Sequence, residues 1–451
     1  MALYIVALFL AVWPLLAAAP PERVEKALQP GVIVRGEKPV VWTLADRMAH
    51  HKTPAVSVAF VNGGKLAWAK AYGGGTTTET LFQAASISKP VAAMVALKLV
   101  EQGKLSLDED VNLRLKRWKV PENEFISKEK VTLRRLLSHT AGLTVHGFRG
   151  YAEGEGVPSL VDLLDGKKPA NSAAVRVNVI PGTLWRYAGG GYQVMQLLVE
   201  DVTGKSFADV AQELVLNPLG MKRSTYRQPL PAAMHKAAAR GFRPDGEMVK
   251  GLWHTYPEQA AAGLWTTPSD LAKVILEIQR PERVLKPSTV EEMLREVKQG
   301  YGLGFGVAGS AFSHGGANDG YRCMLFAYRD KGQGAVVMTN SDRGDALTQE
   351  ILRAVSTEYG WPDYKQREKV AVTLPREALE AFAGRYSPDG TAVATVTVEG
   401  QGLVVEFRGM RNELRPESAT KFFSPTGEMP DVEFEDGRLR VGRGFSAKRL
   451  K

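Results

Sequence analysis

The chain has 451 residues, 44% of them hydrophobic and 24% charged, an ordinary balance for a folded protein of roughly two or three domains. That excludes a disordered chain, a collagen-like chain and a protein of many membrane spans; the single cysteine, Cys323, excludes an intramolecular disulfide and a cysteine-ligated zinc site. The net charge of +9 lies upstream of residue 371, because residues 371–451 carry 12 Lys/Arg against 12 Asp/Glu, and the upstream basic residues are scattered like those of a solvated surface, not of a nucleic-acid partner.

Residues 1–19 (MALYIVALFLAVWPLLAAA) contain no charged side chain and end in Ala17-Ala18-Ala19, which predicts a cleaved signal peptide and a secreted or periplasmic protein. The run is short for a membrane span of about 20 residues, so no span is expected after cleavage; an uncleaved anchor is the alternative, since no Lys or Arg precedes the run and Pro20 follows the cut. His50 and His51 are expected to point apart on a helix, which argues against a metal pair. Residues 54–60 and 65–72 alternate in a β-like way and predict two strands joined at Asn62-Gly63-Gly64, residues that accept positive φ. An apolar helix is predicted over 86–102, stopped by Gly103. Two more are predicted over 190–203 and 206–216, the second broken by Asn217-Pro218-Leu219-Gly220. Thr267-Pro268-Ser269-Asp270 starts another, with proline in the first turn. Strand signals return at 301–309, 321–329 and 333–340, before a helix over 345–358. Strands at both ends with helices between them predict one antiparallel sheet completed by both ends of the chain. Residues 361–374 read as a linker. From 375 to 451, short runs at 391–398, 402–408, 432–435 and 438–441 between Gly-rich turns predict a small all-β barrel or sandwich.

The sharpest chemical feature is Ser86-Ile87-Ser88-Lys89 at the start of the apolar helix. Residues three apart share a helix face, so Ser86 and Lys89 can touch. Pro90, Val91, Ala92, Ala93 and Met94 follow, and an ammonium in such surroundings loses solvation, which lowers its pKa toward the range of a proton acceptor. That arrangement activates a serine hydroxyl without histidine. Alone, so short a pattern reads more readily as a helix cap beside a first-turn surface lysine. It is not alone: Tyr187-Ala188-Gly189 follows Pro181-Gly182-Thr183, and His314-Gly315-Gly316 sits between two strand-like runs. A tyrosine can relay a proton, and a glycine-flanked strand edge can offer an N–H to an oxyanion.

With these residues the chain resembles the serine β-lactamase and penicillin-binding-protein superfamily, in the branch of class C β-lactamases, D-Ala-D-Ala carboxypeptidases and related esterases. The resemblance spans about residues 40–358 and includes Phe82-Gln83-Ala84-Ala85, Leu136-Leu137-Ser138-His139-Thr140-Ala141-Gly142-Leu143, the run from Pro181 to Tyr187, Asn217-Pro218-Leu219-Gly220-Met221 and Gly263-Leu264-Trp265-Thr266-Thr267. It implies an α/β, β-lactamase-like sandwich: an antiparallel sheet flanked by helices, plus an all-helical lobe. This hydrolase domain would occupy 20–360, with a small C-terminal all-β domain, similar to lipocalin-like barrels of some relatives, after it. It implies Ser86 as the acylated nucleophile, Lys89 as its base helped by Tyr187, and the N–H groups of Ser86 and Ala317 as the oxyanion hole. His314 stands where many relatives have a lysine, with Gly315 and Gly316 completing that third motif; its expected roles are holding a substrate carboxylate when protonated or hydrogen bonding to Tyr187.

Two departures shape the expected activity. The second motif usually ends in Asn and here ends in Gly189, and the third motif lacks a fixed positive charge. Both favour an exported hydrolase of small esters or amides. The alternatives are a D-amino-acid peptidase, a DD-carboxypeptidase or weak β-lactamase, and a catalytically silent binding protein on the same fold. His139 is expected to be a structural hydrogen bonder. The loops holding His146, Phe148, Arg149 and Tyr151 and holding Trp253 and His254 are candidate pocket walls as well as ordinary surface. Glycines between 302 and 309 lack the strand-turn-helix context of a phosphate loop, so no nucleotide, cofactor or metal is expected. A small acyl or D-peptide substrate is the expected partner, and a homo-oligomer stays open.

Overall fold

The computed structural model describes residues 21–390, 393–407, 409–442 and 445–450; the expected signal peptide, 1–19, lies outside them. Among the described residues, ten strands precede the C-terminal part: β1 (Val32–Val34), β2 (Val56–Asn62), β3 (Lys65–Tyr72), β4 (Phe82–Gln83), β5 (Trp265–Thr266), β6 (Gly306–Ala308), β7 (Ala311–Asn318), β8 (Tyr321–Tyr328), β9 (Gly334–Thr339) and β10 (Arg367–Lys369). Strand β2 is apolar on both faces because both are covered. Val56, Val58 and Phe60 pack in one apolar cluster with Leu347, Ile351 and Val355 of the helix Gly344–Tyr359. Ala59 and Val61 face a second, larger cluster with Leu271, Val274 and Ile275 of the helix Pro268–Gln279.

The sheet runs in the order β3-β2-β9-β8-β7-β6, all neighbours antiparallel. The first hairpin of the chain thus lies beside the last strand of the sheet. The larger cluster also holds the helix Ser88–Glu101 and the helical lobe, including Gly189–Thr203 and Phe207–Ala211. Among the described residues, no helix is long and apolar enough to cross a membrane.

Several elements differ from expectation. Within 301–309 only Gly306–Ala308 is strand, and the segment carrying Gly315 and Gly316 is itself the long strand β7. The predicted helix over 206–216 widens into a π-helical turn at Gln212–Leu216, continues through Asn217–Leu219 and stops at Gly220, whose φ is +66°. Pro218 has no N–H for the helix ladder, and the wider turn takes up that mismatch. His50 and His51 do not point apart. His51 caps the helix Leu44–His50, and the two rings lie 4.8 Å apart.

Eight further strands close a barrel: β11 (Gly384–Ser387), β12 (Ala394–Glu399), β13 (Gly402–Phe407), β14 (Met410–Pro416), β15 (Lys421–Phe423), β16 (Val432–Glu435), β17 (Arg438–Val441) and β18 (Phe445–Arg449). Its interior is one apolar cluster. The residues leading to it are packed: Trp361 is fully buried and β10 pairs in parallel with β1. The barrel docks on the side of the Leu44–His50 helix. Arg47 bonds Glu350 at 2.6 Å and Glu428 of the barrel at 2.5 Å, and Lys369 bonds Glu417 and Asp431, each at 2.9 Å.

Candidate active site

From Leu81 to Leu97 every residue is buried except Ser86. Ser86 lies in a 3₁₀ turn, Ala85–Ile87, and the α-helix begins only at Ser88, so the serine precedes the helix instead of opening it. Ala85 takes φ +49°, a left-handed conformation uncommon outside glycine, and such strain is held by the surrounding packing. Here the packing is explicit. Ser88 Oγ accepts from Leu264 N–H at 3.0 Å, Tyr226 donates to Ser88 O at 2.6 Å, and Ala84 N–H donates to Leu264 O at 2.8 Å.

Lys89 is 2% exposed. Its Nζ lies 3.0 Å from Ser86 Oγ and donates to Ala261 O at 2.8 Å. The faces of Tyr187 and Tyr192 stand 4.9 and 5.7 Å from it. With no carboxylate partner in this set, burial alone draws its pKa down to about 7. Burial raises the pKa of Tyr187, and the nearby Ser86 side chain tempers the rise. Tyr187 is therefore a neutral hydrogen-bonding group at neutral pH.

Strand β7 passes against the Ser86 turn. A Cβ at Gly316 would stand 2.3 Å from Ala84 O, so only glycine permits this approach. Ala317, the next residue, is exposed. Asn318 then ties the strand down, donating to Gln83 Oε1 at 2.8 Å and Ala262 O at 3.2 Å.

His314 corrects one expectation. Burial, then the nearby Lys89, draws its pKa down to about 3, against the opposing effect of its bond to Gly315 O. The ring is neutral at physiological pH and cannot hold a carboxylate by charge. Its Nδ1 donates to Gly315 O at 2.6 Å, its Nε2 is buried without a partner, and its ring lies 6.1 Å from that of Tyr187.

His139 accepts from Ala188 N–H through Nδ1 at 3.1 Å, and its carbonyl accepts from Arg186 N–H at 2.9 Å. Its ring sits 4.2 Å from that of Tyr187, so it holds the irregular segment that presents the tyrosine. Burial, then Lys89, keeps it neutral, with a pKa far below the usual value. The two candidate loops are stitched together: Tyr151 and Thr255 exchange backbone bonds of 2.9 and 2.8 Å, and His254 Nδ1 meets Arg149 O at 2.8 Å. His146 lies beside Tyr187, ring to ring at 5.0 Å. Trp253 packs on Trp265 at 5.4 Å.

Sequence reasoning missed Tyr192, Tyr301 and the Ala261 carbonyl. Tyr301 packs at a tilt against His139 at 4.9 Å, and Tyr192 donates to Leu137 O at 3.0 Å. A backbone carbonyl leaves no residue-type signal, and a tyrosine inside an apolar run reads as core.

The Beta-lactamase family model matches residues 43–357. The chain is 27% identical over 377 residues to Penicillin-binding protein 4* of Bacillus subtilis (strain 168), covering 77% of this chain and 81% of that protein. It is 29% identical over 255 residues to Esterase EstB of Burkholderia gladioli, covering 50% of this chain and 63% of that protein. Among solved structures, an octameric penicillin-binding protein homologue from Pyrococcus abyssi aligns with a TM-score of 0.62 at 24% identity, over 90% of this chain and 98% of that one.

Proposed function

The chain belongs to the beta-lactamase family, and from that premise we propose that it is a serine hydrolase acting through an acyl-enzyme on Ser86. One observation carries this reading: a buried lysine, its pKa drawn down to about 7, lies 3.0 Å from the hydroxyl of the one accessible residue in a buried run. Neutral Lys89 takes the Ser86 proton as the serine oxygen bonds to the acyl carbon. Backbone N–H groups of Ser86 and Ala317 hold the oxyanion. The leaving group departs with a proton returned from Lys89, relayed by the Tyr187 hydroxyl. Water, deprotonated by Lys89, then adds to the acyl-enzyme, and the Ser86–acyl bond breaks as the serine regains its proton.

We assign small esters or amides as substrates. Gly189 offers no side chain for a peptide's amide and His314 no charge for its carboxylate, so the cleft has little with which to hold a peptide. The test is hydrolysis of a short p-nitrophenyl ester by the protein and by Ser86→Ala; equal rates would sink the mechanism. A second reading, a peptidase for D-amino-acid peptides, is favoured by the likeness to a protein named for penicillin binding over most of the chain. Turnover of D-Ala-D-Ala peptides without ester turnover would select it. A silent binding protein would leave Ser86 unlabelled by a fluorophosphonate. Residues 1–19 would direct export, which the mass of the mature protein from the producing cell checks.

A further inference from the structure

The loop from Thr144 to Tyr151 runs against the start of the Gly189–Thr203 helix. Val145 O accepts from Gly190 N–H at 3.0 Å, and His146 O accepts from Gly189 N–H at 3.1 Å. Val145 takes φ +65° in this loop, a conformation that β-branched residues rarely adopt. Phe148 then packs so closely that a Cβ on residue 189 would stand 2.6 Å from its Cε2 and 3.0 Å from its Cζ. The space a side chain at 189 would fill holds an aromatic ring instead.

That ring lies next to the segment that carries Tyr187. Residue 189 is two positions from Tyr187, and the ring of His146, in the same loop, lies 5.0 Å from the Tyr187 ring. Phe148 is half-buried, with part of its surface open. It carries no hydrogen-bonding group, and the nearby N–H groups of Gly189 and Gly190 are already taken by loop carbonyls. An amide placed against this wall would lose its partners in water and find none. An alkyl chain there would gain by leaving water.

We propose that Phe148 sets acyl-group selectivity: it replaces the missing side chain of residue 189 with an apolar wall that favours plain alkyl acyl chains over chains bearing an amide beside the reacting carbonyl. This rests on the reading of Ser86 as an acylated nucleophile, and the experiment separates the two. Hydrolysis of p-nitrophenyl pentanoate and p-nitrophenyl N-acetylglycinate, of similar length, is compared after subtraction of the uncatalysed rate, with fluorophosphonate labelling of Ser86 in every sample. The expected ratio of kcat/KM favours the pentanoate by at least about tenfold. Phe148→Ala lowers that ratio mainly through a higher KM for the pentanoate, and Phe148→Leu, still apolar, keeps it. Phe148→Ala with Gly189→Asn, the amide now having room, moves the ratio toward the acetylglycinate. Gly189→Asn alone melts at a lower temperature, because its Cβ meets the ring. An unchanged ratio in both Phe148→Ala and the double variant, with Ser86 labelled and the melting temperature unchanged, overturns the proposal. Labelled Ser86 with no pentanoate turnover also overturns it. No labelling of the unaltered protein overturns the acyl-transfer reading, and the selectivity inference falls with it.

Discussion

In the half that holds Ser86 the buried groups include Lys89, His139, His314, Tyr192, Tyr226, Tyr301 and Glu258; inside the C-terminal barrel they include Val396, Leu403, Val405, Leu414, Phe422, Phe434 and Leu439. Several polar atoms of the hydrolase half lack any partner, among them Nε2 of His139 and His314, both amide atoms of Gln193 and both carboxylate oxygens of Glu258. The buried tyrosine hydroxyl of the barrel cluster, on Tyr386, donates to Phe382 O at 2.8 Å. Unmet polar groups cost stability, and proteins keep them where chemistry needs them. The contrast is one of degree, since Oδ1 of Asp431 on the barrel side is unpartnered as well; unmet polar groups gather in the half that holds Ser86 and apolar packing dominates the other, and the contrast can be broken from either side.

The largest expected effect is on the cleft side. Ser86→Ala and Lys89→Ala should each lower kcat/KM for a p-nitrophenyl ester by at least about a thousandfold, since the nucleophile and its base act as a unit. Melting of the barrel should not change. A fall below tenfold in Lys89→Ala would move the base to another group.

The barrel side gives the converse. Phe434 is 5% exposed and packs on Phe382 at 4.6 Å, on Phe422 at 5.5 Å and on Tyr386 at 5.8 Å. Phe434→Ala should cost about 3–5 kcal/mol of barrel stability, the usual range for a large-to-small change in a packed core. Ester turnover per folded molecule should stay within about twofold, as the residue touches nothing in the cleft. Calorimetry beside an active-site titration reads both. A large loss of kcat would mean that the barrel shapes the site through its contacts with Arg47 and Lys369.

The same division governs what could be read from the sequence. Ser86 and Lys89 are three residues apart, so their meeting is a local fact that periodicity exposes. The hairpin β2–β3 was equally local, with Asn62-Gly63-Gly64 at its turn. Half the barrel was not. Strand β14 reads Met-Arg-Asn-Glu-Leu-Arg-Pro, and only Leu414 of it joins the apolar cluster. Strand β15 has three residues. Their partners lie across a closed sheet, so pairing and not pattern makes them strands. The charge of His314 was illegible for a related reason: burial and the field of Lys89 decide it, and both come from residues far away in the chain. Likewise nothing in Phe148 announces that it fills the room beside Gly189.

A smaller effect sharpens the cleft side by pH. Lys89 accepts a proton only when neutral, and burial draws its pKa down to about 7. Log kcat/KM should rise with slope near one below that value and level above it, about tenfold per pH unit on the limb. His139 and His314 stay neutral across this range and should add no second limb. A profile flat from pH 5 to 9 would remove Lys89 as the base.

The smallest effect concerns stability, and it separates the halves again. Glu258 is fully buried, both its oxygens are unpartnered, and burial, only partly offset by its own N–H, pushes its pKa up to about 8 from 4.5. Between these values the folded protein keeps a proton that the unfolded chain has released. The Glu258 contribution is thus complete below pH 4.5 and is lost as pH rises through about 8. The buried histidines and Lys89 act in the opposite sense, because their folded pKa values are depressed, so the raw curve mixes signs. Glu258→Gln isolates one contribution: both proteins share the rest. The melting temperature of Glu258→Gln minus that of the unaltered protein should grow from pH 5 to about pH 8 and level off above it. The barrel holds none of the seven histidines, and its buried Tyr386 has a pKa raised by burial, so a separate barrel transition should stay flat over the same range. A difference independent of pH would mean that Glu258 is ionised in the fold and has a partner, most simply a buried water. The half of the molecule that holds Ser86 would then carry one fewer unmet group than the contrast with the barrel requires.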